Sequence, residues 1–294
     1  MKQPMNKISF LLLLVFLSSC SFEEKSIESN NNIHNYIFLG HTYQNDSQVD
    51  ERLADMDFSV YEQIWLGGDI CAETTADINT IRHIDEIFDL SSLTTHWSFG
   101  NHDIRNGNIQ WLTDATGRPS FYATYFNGIT LLILNTNFSN GGTYAKAKVN
   151  AQYELIKSVC DTIVESSHLI LITHHSVWNN VDQIADMNDY ANGDLSNLLF
   201  SIGPNLNYAD GVYPLLKKVV DKGINIIHIA GDFGQKVSNY QYLTSDSIQF
   251  IGSGITSNTD YHSKFPTNDS TDVFLVLHHN ISERTITWTF EELQ

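Results

Sequence analysis

Five short motifs in this 294-residue chain contain the residue types that bind divalent metals. In chain order they are Gly40-His41, Gly67-Gly68-Asp69, Gly100-Asn101-His102-Asp103, Thr173-His174-His175 and Ala230-Gly231-Asp232-Phe233-Gly234. Hard and borderline divalent ions accept carboxylate oxygens, amide oxygens and neutral imidazole nitrogens together. The motifs therefore indicate metal chemistry, provided that the fold brings them together.

Apolar runs of strand length, rich in β-branched residues, alternate with helical patterns along the chain. The predicted strands are Tyr36–Leu39, Gln63–Leu66, His96–Phe99, Thr130–Leu134, His168–Ile172, Ile224–Ile229, Ser247–Ile251 and Val273–Leu277, with a final hairpin that returns through Thr285–Phe290. The predicted helices are Ile78–Phe88, Ala151–Ser166 and Tyr213–Lys222. This alternation is typical of a layered α/β fold with buried strands.

Each of the five motifs follows a predicted strand. In α/β sheets, ligands bind at the carboxyl ends of the strands, where the connecting loops meet. Polar residues that are far apart in sequence are therefore expected to lie close together. An insertion rich in Asn and Asp, residues 178–210, follows the fourth motif, and its length predicts a cap over the site.

The order and chemistry of the motifs resemble those of the calcineurin-like metallophosphoesterase superfamily, whose pattern is D-x-H, G-D, G-N-H-[DE], H and G-H-x-H. The resemblance extends from Tyr36 to the C-terminus. It implies an α/β fold in the form of a four-layer α/β/β/α sandwich with mixed sheets, of the metallo-dependent phosphatase-like type. It also implies hydrolysis of a phosphoester with one or two divalent ions, of Mn, Fe, Zn or Mg.

The same resemblance implies a role for each matching residue. Asp69 would provide an oxygen that bridges two metals, Asn101 its amide oxygen and His174 an imidazole nitrogen. His102 would face the leaving-group oxygen as a general acid, with Asp103 orienting it.

Two positions depart from the family pattern. Leu39 stands where the first motif has Asp, and Gly234 stands where the last motif has its second His. By the family pattern both lost ligands serve the first metal, which would keep only His41 and Asp69. A site with two ligands is weak, so the first metal site is expected to be degraded.

The second metal site is expected to be largely intact. Asp69, Asn101 and His174 are present, and Asp232 stands where the pattern has the first His of G-H-x-H. An aspartate in this position keeps a ligand and shifts the preference towards harder ions such as Mn, Fe or Mg. The motifs also resemble those of diverged members with a G-H-x-Y opening and a G-D-x-G closing, which is consistent with a distinct subfamily.

Simpler roles stay open for several of these residues. His41 can be a turn residue after an edge strand, and Asp69 and Asn101 can cap the helices that follow them. His175 is expected to pack beside the site rather than to bind metal. His228, inside a buried strand, is expected to be a hydrogen-bonded core histidine.

The N-terminus has the pattern of a secretory signal. Lys2 and Lys7 precede the apolar run Ile8–Leu17, which has about half of the ~20 residues that a membrane-spanning helix needs. The run ends in Leu-Ser-Ser before Cys20, which resembles the lipobox of bacterial lipoproteins, although an ordinary cleaved signal is the alternative. The predicted organisation is a lipoprotein signal peptide at 1–19, a flexible tether from the lipidated Cys20 to residue 35, and a metallophosphoesterase-like domain at 36–294.

A lipid anchor would place the domain on the bacterial cell envelope, facing the periplasm or the outer surface. The formal net charge of −18, from 34 acidic and 16 basic residues, disfavours a nucleic-acid partner. After Cys20 only Cys71 and Cys160 remain, which is too few for a disulfide framework. Their pairing and the oligomeric state stay open.

Two functions from different classes fit the sequence. The first is a metal-dependent phosphoester hydrolase, an exported lipoprotein that acts on a phosphorylated lipid or glycan of the cell envelope. The alternative is a catalytically weak or inactive metal-binding lipoprotein that binds a phosphorylated ligand, a glycan or a protein partner, and the missing ligands motivate it. An esterase of another type is disfavoured because the chain has no Gly-x-Ser-x-Gly nucleophile elbow.

Overall fold

The strands of this protein form two mixed sheets. A computed structural model describes residues 33–43, 48–140, 143–192, 207–255 and 271–294. The predicted signal peptide, Cys20 and most of the predicted tether lie outside these residues. The strands are β1 Ile33–Leu39, β2 Gln63–Leu66, β3 Thr95–Trp97, β4 Tyr122–Phe126, β5 Ile129–Ile133, β6 His168–Thr173, β7 Asn225–Ala230, β8 Asn239–Leu243, β9 Ile248–Ser253, β10 Val273–Asn280 and β11 Thr285–Glu292.

The first sheet has five strands in the order β11-β10-β1-β2-β3, and the second has six in the order β4-β5-β6-β7-β9-β8. In the first sheet β1, β2 and β3 are parallel, and β10 and β11 are antiparallel to their neighbours. In the second sheet β5, β6, β7 and β9 are parallel, and the edge strands β4 and β8 are antiparallel. The predicted α/β class is therefore confirmed.

Helices accompany the strands and follow their own sequence signals. In α2, Ile81, Ile84 and Phe88 recur at helical spacing and are buried, while the side chain of Asp77 caps the first turn. No helix within the described ranges has the length and hydropathy needed to cross a membrane. The α-helices are α1 Glu51–Ala54, α2 Ile78–Phe88, α3 Asn101–Ile104, α4 Ile109–Thr116, α5 Thr143–Thr162, α6 Tyr208–Gly211 and α7 Tyr213–Val220.

Three clusters of buried apolar residues hold these elements together. One combines residues of both sheets, the second combines the five-stranded sheet with α2 and α4, and the third combines the six-stranded sheet with α5 and α7. Successive residues of β1 enter different clusters: Tyr36 and Phe38 face the other sheet, whereas Ile37 and Leu39 pack with the helices. Both faces of β1 are buried at Tyr36–Leu39, which explains why this part of its sequence is a continuous run of apolar residues.

The elements that the sequence pattern misses lack such runs. The edge strands β4 and β8 alternate exposed and partly or fully buried residues and carry polar side chains. β1 begins at Ile33, earlier than predicted, because Ile33 pairs with Asn280 of β10. The last residues assigned to the tether at 20–35 therefore belong to the sheet.

The described part of the predicted insertion at 178–210 is packed into the protein. Trp178, Val181 and Met187 belong to the cluster on the helix-covered side of the six-stranded sheet. Residues 193–206 lie outside the described residues, so the cap stays a prediction.

Cys71 and Cys160 are both buried and are not joined in a disulfide. Burial raises the pKa of Cys160 to about 12, which keeps the thiol protonated and unreactive. The cysteines therefore act as small apolar side chains.

His228 of β7 is a hydrogen-bonded core histidine, as predicted. Its Nδ1 lies 2.7 Å from the hydroxyl of Tyr208, its Nε2 lies 3.1 Å from the hydroxyl of Thr173, and its ring packs against Trp178. Burial lowers the pKa of His228 to about 3, so the imidazole is neutral in the folded protein.

We expect His228→Gln to reduce the loss of stability on acidification. The unfolded chain protonates this histidine below about pH 6.5, whereas the folded protein does not until about pH 3, so its contribution is complete above pH 6.5 and is lost as the pH falls. Between pH 7 and 5 this loss is about 1–2 kcal/mol of unfolding free energy. Urea unfolding of both proteins at the two pH values measures it. An equal loss in wild type and variant would contradict the neutral state of His228.

Candidate metal centre

The five motifs converge where parallel strands of both sheets end. His41, Asp69 and Asn101 follow β1, β2 and β3 of the five-stranded sheet, while His174 and Asp232 follow β6 and β7 of the six-stranded sheet. The convergence that the sequence predicts at the carboxyl ends of strands therefore extends across two sheets.

The buried side chains form two groups with the geometry of metal ligands. One group is His41, Asp69 and Asp232, and the other is His174, His175 and Asp232. Within each group, one ligand atom from every residue lies within 4.8 Å of the others. Each of these five residues is at most 7% exposed to solvent. Because Asp232 belongs to both groups, the two potential ion positions are adjacent.

This grouping differs from the assignment made on the sequence. Asp232, assigned to the second metal, is also within reach of His41 and Asp69, so the group expected to be degraded has three ligand atoms. His175, expected to pack beside the site, contributes a ligand atom to the other group. Its sequence signal is the His-His pair directly after an apolar strand.

Asn101 lies beside both histidines of the second group. Its Oδ1 is 3.2 Å from Nε2 of His174 and 3.1 Å from Nε2 of His175. The amide oxygen and the two ring nitrogens therefore point into the same space. The structure thus brings Asn101 and His174 together, as the resemblance implies.

The ring orientations direct the Nε2 atoms of both histidines towards Asn101. Nδ1 of His174 lies 2.9 Å from the carbonyl of Gly67, and Nδ1 of His175 lies 2.6 Å from the hydroxyl of Thr136. Such contacts to the second ring nitrogen are the usual way in which proteins orient metal-binding imidazoles. Buried nitrogens, an amide oxygen and two carboxylates form a donor set that fits a divalent ion.

The charges of the centre are strongly coupled. Burial alone would lower the pKa of His174, but the carboxylates of Asp69 and Asp232 raise it to about 10. Burial raises the pKa of Asp232 to about 7. Burial also opposes the charge of Asp69, yet the imidazoles around it, His174 first, hold the pKa of that carboxyl below its usual range. The two carboxylates therefore require a positive charge between them, from a proton on His174 or from a metal ion.

Two of the candidate ligands have a strained backbone. His41 has a φ of 49° and Asp69 a φ of 55°, both in the left-handed region that side chains other than glycine rarely adopt. Each costs about 1–3 kcal/mol, a strain that is commonly found at functional sites.

Asp103 positions the loop that carries Asp69. Its fully buried carboxylate lies at the start of α3 and accepts hydrogen bonds from several elements. The donors are the amides of Asp69 (2.9 Å), Ile70 (3.0 Å) and Gly100 (2.7 Å), the hydroxyl of Thr74 (2.8 Å) and the indole of Trp97 (3.2 Å).

The expected pairing of Asp103 with His102 is replaced by other contacts. Nδ1 of His102 lies 2.9 Å from the carbonyl of Ala72, and its Nε2 lies 2.7 Å from Arg105 and 4.0 Å from Oδ2 of Asp69. Consecutive residues of a helix do not face each other, so the carboxylate of Asp103 turns back to the helix start and away from the neighbouring ring. Asp103 therefore acts on the centre through Asp69.

Neither protein-family models nor curated proteins match this chain. The inference of function consequently depends on the geometry and the charges of the centre.

We expect metal binding to release protons. At neutral pH His174, with a pKa of about 10, holds a proton, and Asp232, with a pKa of about 7, holds one in about half of the molecules, and an ion must displace these protons. The affinity for Mn²⁺ should therefore increase with pH, by about tenfold per pH unit for each proton released. Calorimetric titration at several pH values, in buffers with different ionisation enthalpies, counts the protons. An affinity that is independent of pH would contradict the coupling of the two carboxylates through His174.

We expect Asp103→Asn to destabilise the protein and to weaken metal retention. The amide group of asparagine would face several N–H donors, which costs about 2–4 kcal/mol of unfolding free energy and releases the loop of Asp69. Asp114→Asn, an exposed change on α4, is the matched control. Thermal unfolding and the metal content of both variants measure the effect, and equal values for the two would exclude a positioning role.

Proposed function

We propose that the protein is a metal-dependent phosphoester hydrolase of the calcineurin-like type. The observation that carries the proposal is that Asp232 is shared by two groups of buried ligands, His41 with Asp69 and His174 with His175. Adjacent ion positions with a common carboxylate are typical of hydrolases that displace a leaving group at phosphorus. Bound ions in such a site lower the pKa of a water molecule and neutralise charge on the phosphoryl oxygens.

In this proposal the residues of the centre have different roles. Asp69 and Asp232 provide negative charge, and the buried imidazoles provide nitrogen ligands whose orientation the Nδ1 contacts fix. His102 has its Nδ1 held by the carbonyl of Ala72, so its Nε2 is the nitrogen directed towards Asp69. We propose that His102, when protonated at Nε2, transfers this proton to the leaving oxygen.

We extend the proposal to the fold and to the location. The three hydrophobic clusters, one between the sheets and two beneath helices, support a four-layer α/β/β/α sandwich of the metallo-dependent phosphatase-like type. The lipobox-like sequence before Cys20 supports an envelope lipoprotein, and residues 1–32 lie outside the described part of the chain. A phosphorylated lipid or glycan of the envelope is the proposed substrate.

The proposal is tested with the purified protein. Elemental analysis should find a divalent metal, and addition of Mn²⁺, Fe or Zn²⁺ should support hydrolysis of generic phosphate monoesters or diesters. Asp232→Asn should lose most of the metal and most of the activity, because it removes charge from both ligand groups. Asp221→Asn, an exposed change at the end of α7, should retain both.

Each outcome has a distinct meaning. A protein without metal and without response to metal would refute the proposal. Bound metal without turnover would favour the metal-binding protein that the sequence leaves as the alternative. Equal metal content in wild type and Asp232→Asn would exclude Asp232 as a ligand.

A further inference from the structure

Arg105 stands at the edge of the metal centre and contacts a histidine instead of a carboxylate. The residue is exposed and directly follows α3, and its Nη2 lies 2.7 Å from Nε2 of His102. Nδ1 of His102 donates to the carbonyl of Ala72, so in the neutral ring the lone pair of Nε2 accepts from the guanidinium, and the protonation of Nε2 that the proposed transfer requires would release this contact. The same Nε2 is 4.0 Å from the carboxylate of Asp69, so Arg105 is held beside the ligands.

The histidine that holds Arg105 is itself fixed by aromatic packing. The ring of Tyr43 stacks on His102 with the centroids 5.2 Å apart, and it packs on His41 with the centroids 4.6 Å apart. Tyr43 therefore connects a ligand of the first group to the histidine under Arg105. The position of the guanidinium is consequently linked to the position of the metal ligands.

Arg105 is a positive charge in a strongly acidic chain. The chain has a formal net charge of −18, and Arg52 bridges both Asp50 and Asp272. Within the described ranges, by contrast, no carboxylate lies within salt-bridge distance of Arg105. A guanidinium has five N–H donors, and the contact with His102 uses one, so the others are available to an anion.

We propose that Arg105 binds the phosphoryl group of the substrate and makes the site selective for phosphomonoesters. The inference depends on the proposed function. A guanidinium matches two oxygens of a phosphate in a bidentate pair, and this geometry makes arginine the preferred residue for phosphate recognition. A monoester has three non-bridging oxygens and up to two negative charges, whereas a diester has two such oxygens and one charge. With adjacent ligand groups for two ions, only a monoester has an oxygen beyond the two that the ions would take, and the guanidinium would pair that oxygen with one of those two.

The test compares Arg105→Ala and Arg105→Lys with Arg82→Ala. Arg82 is an exposed arginine of α2 that contacts Asn79, so its loss changes the net charge equally without touching the centre. The measurements on the Mn²⁺-loaded proteins are metal content, calorimetric binding of inorganic phosphate, and kcat/KM for p-nitrophenyl phosphate and bis(p-nitrophenyl) phosphate.

Arg105→Ala should weaken phosphate binding and lower kcat/KM for the monoester by about 10- to 100-fold, the effect of losing a charge-assisted hydrogen-bond pair. The diester should be much less affected, and the metal content should not change. Arg105→Lys should fall between wild type and Arg105→Ala because a lysine keeps the charge but not the paired donors. Arg82→Ala should behave as wild type.

Unchanged phosphate binding in Arg105→Ala, or an equal loss for monoester and diester, would overturn the inference. A different result would refute the proposed function. A wild type that hydrolyses neither ester refutes the hydrolase, while a loss of phosphate binding in Arg105→Ala would still establish the anion site. A wild type that is active, with Arg105→Ala equally active on the monoester, refutes the role of Arg105 alone.

Discussion

The burial of two neighbouring carboxylates, Asp69 and Asp232, is the constraint on which the rest of this centre depends. A buried charge without compensation costs several kcal/mol, so positive charge must lie between them. His174 is placed for this purpose, with its Nε2 3.3 Å from Asp69 and 3.9 Å from Asp232. The two carboxylates raise its pKa to about 10, far above that of an ordinary imidazole. A divalent ion would neutralise the same two carboxylates with a larger positive charge. The proton on His174 and a metal ion therefore compete for the position between Asp69 and Asp232.

Such a centre persists only if the surrounding backbone fixes it. The loops of the two sheets meet in direct backbone contact, since a side chain at Gly231 would overlap the carbonyl oxygen of Gly67. The amide of His41 donates to the carbonyl of Gly68 at 2.9 Å, so the first strand end is joined to the second. The carboxylate of Asp103 then fixes the loop of Asp69, because it accepts hydrogen bonds from the backbone amides of Asp69 and Ile70. These contacts offset the strain at the left-handed ligands and hold like charges close together.

Periodicity and motif order predict much of this arrangement, because both reflect local chemistry. α2 has the predicted bounds, and the five strand-end motifs converge as expected. The edge strands β4 and β8 escape detection because exposed residues interrupt the apolar run. The roles of His175 and Asp103 could not be read from the sequence, because they depend on distances between loops of different sheets and on the direction of a side chain at a helix start. The shared position of Asp232 is likewise a property of the three-dimensional packing.

The differences at Leu39, Asp232 and Gly234 from the metallophosphoesterase pattern that the motifs resemble are consistent with one another. Leu39 is fully buried in the cluster between the five-stranded sheet and its helices, where an aspartate would place a further carboxylate in an apolar environment. Gly234 has a φ of 114°, so a histidine there would be strained. Asp232 offers two oxygens in place of the single available nitrogen of an oriented imidazole, which lets one residue approach both ligand groups. The three differences from that pattern are therefore compatible with one another, and Leu39→Asp or Gly234→His would disturb the packing or strain the backbone.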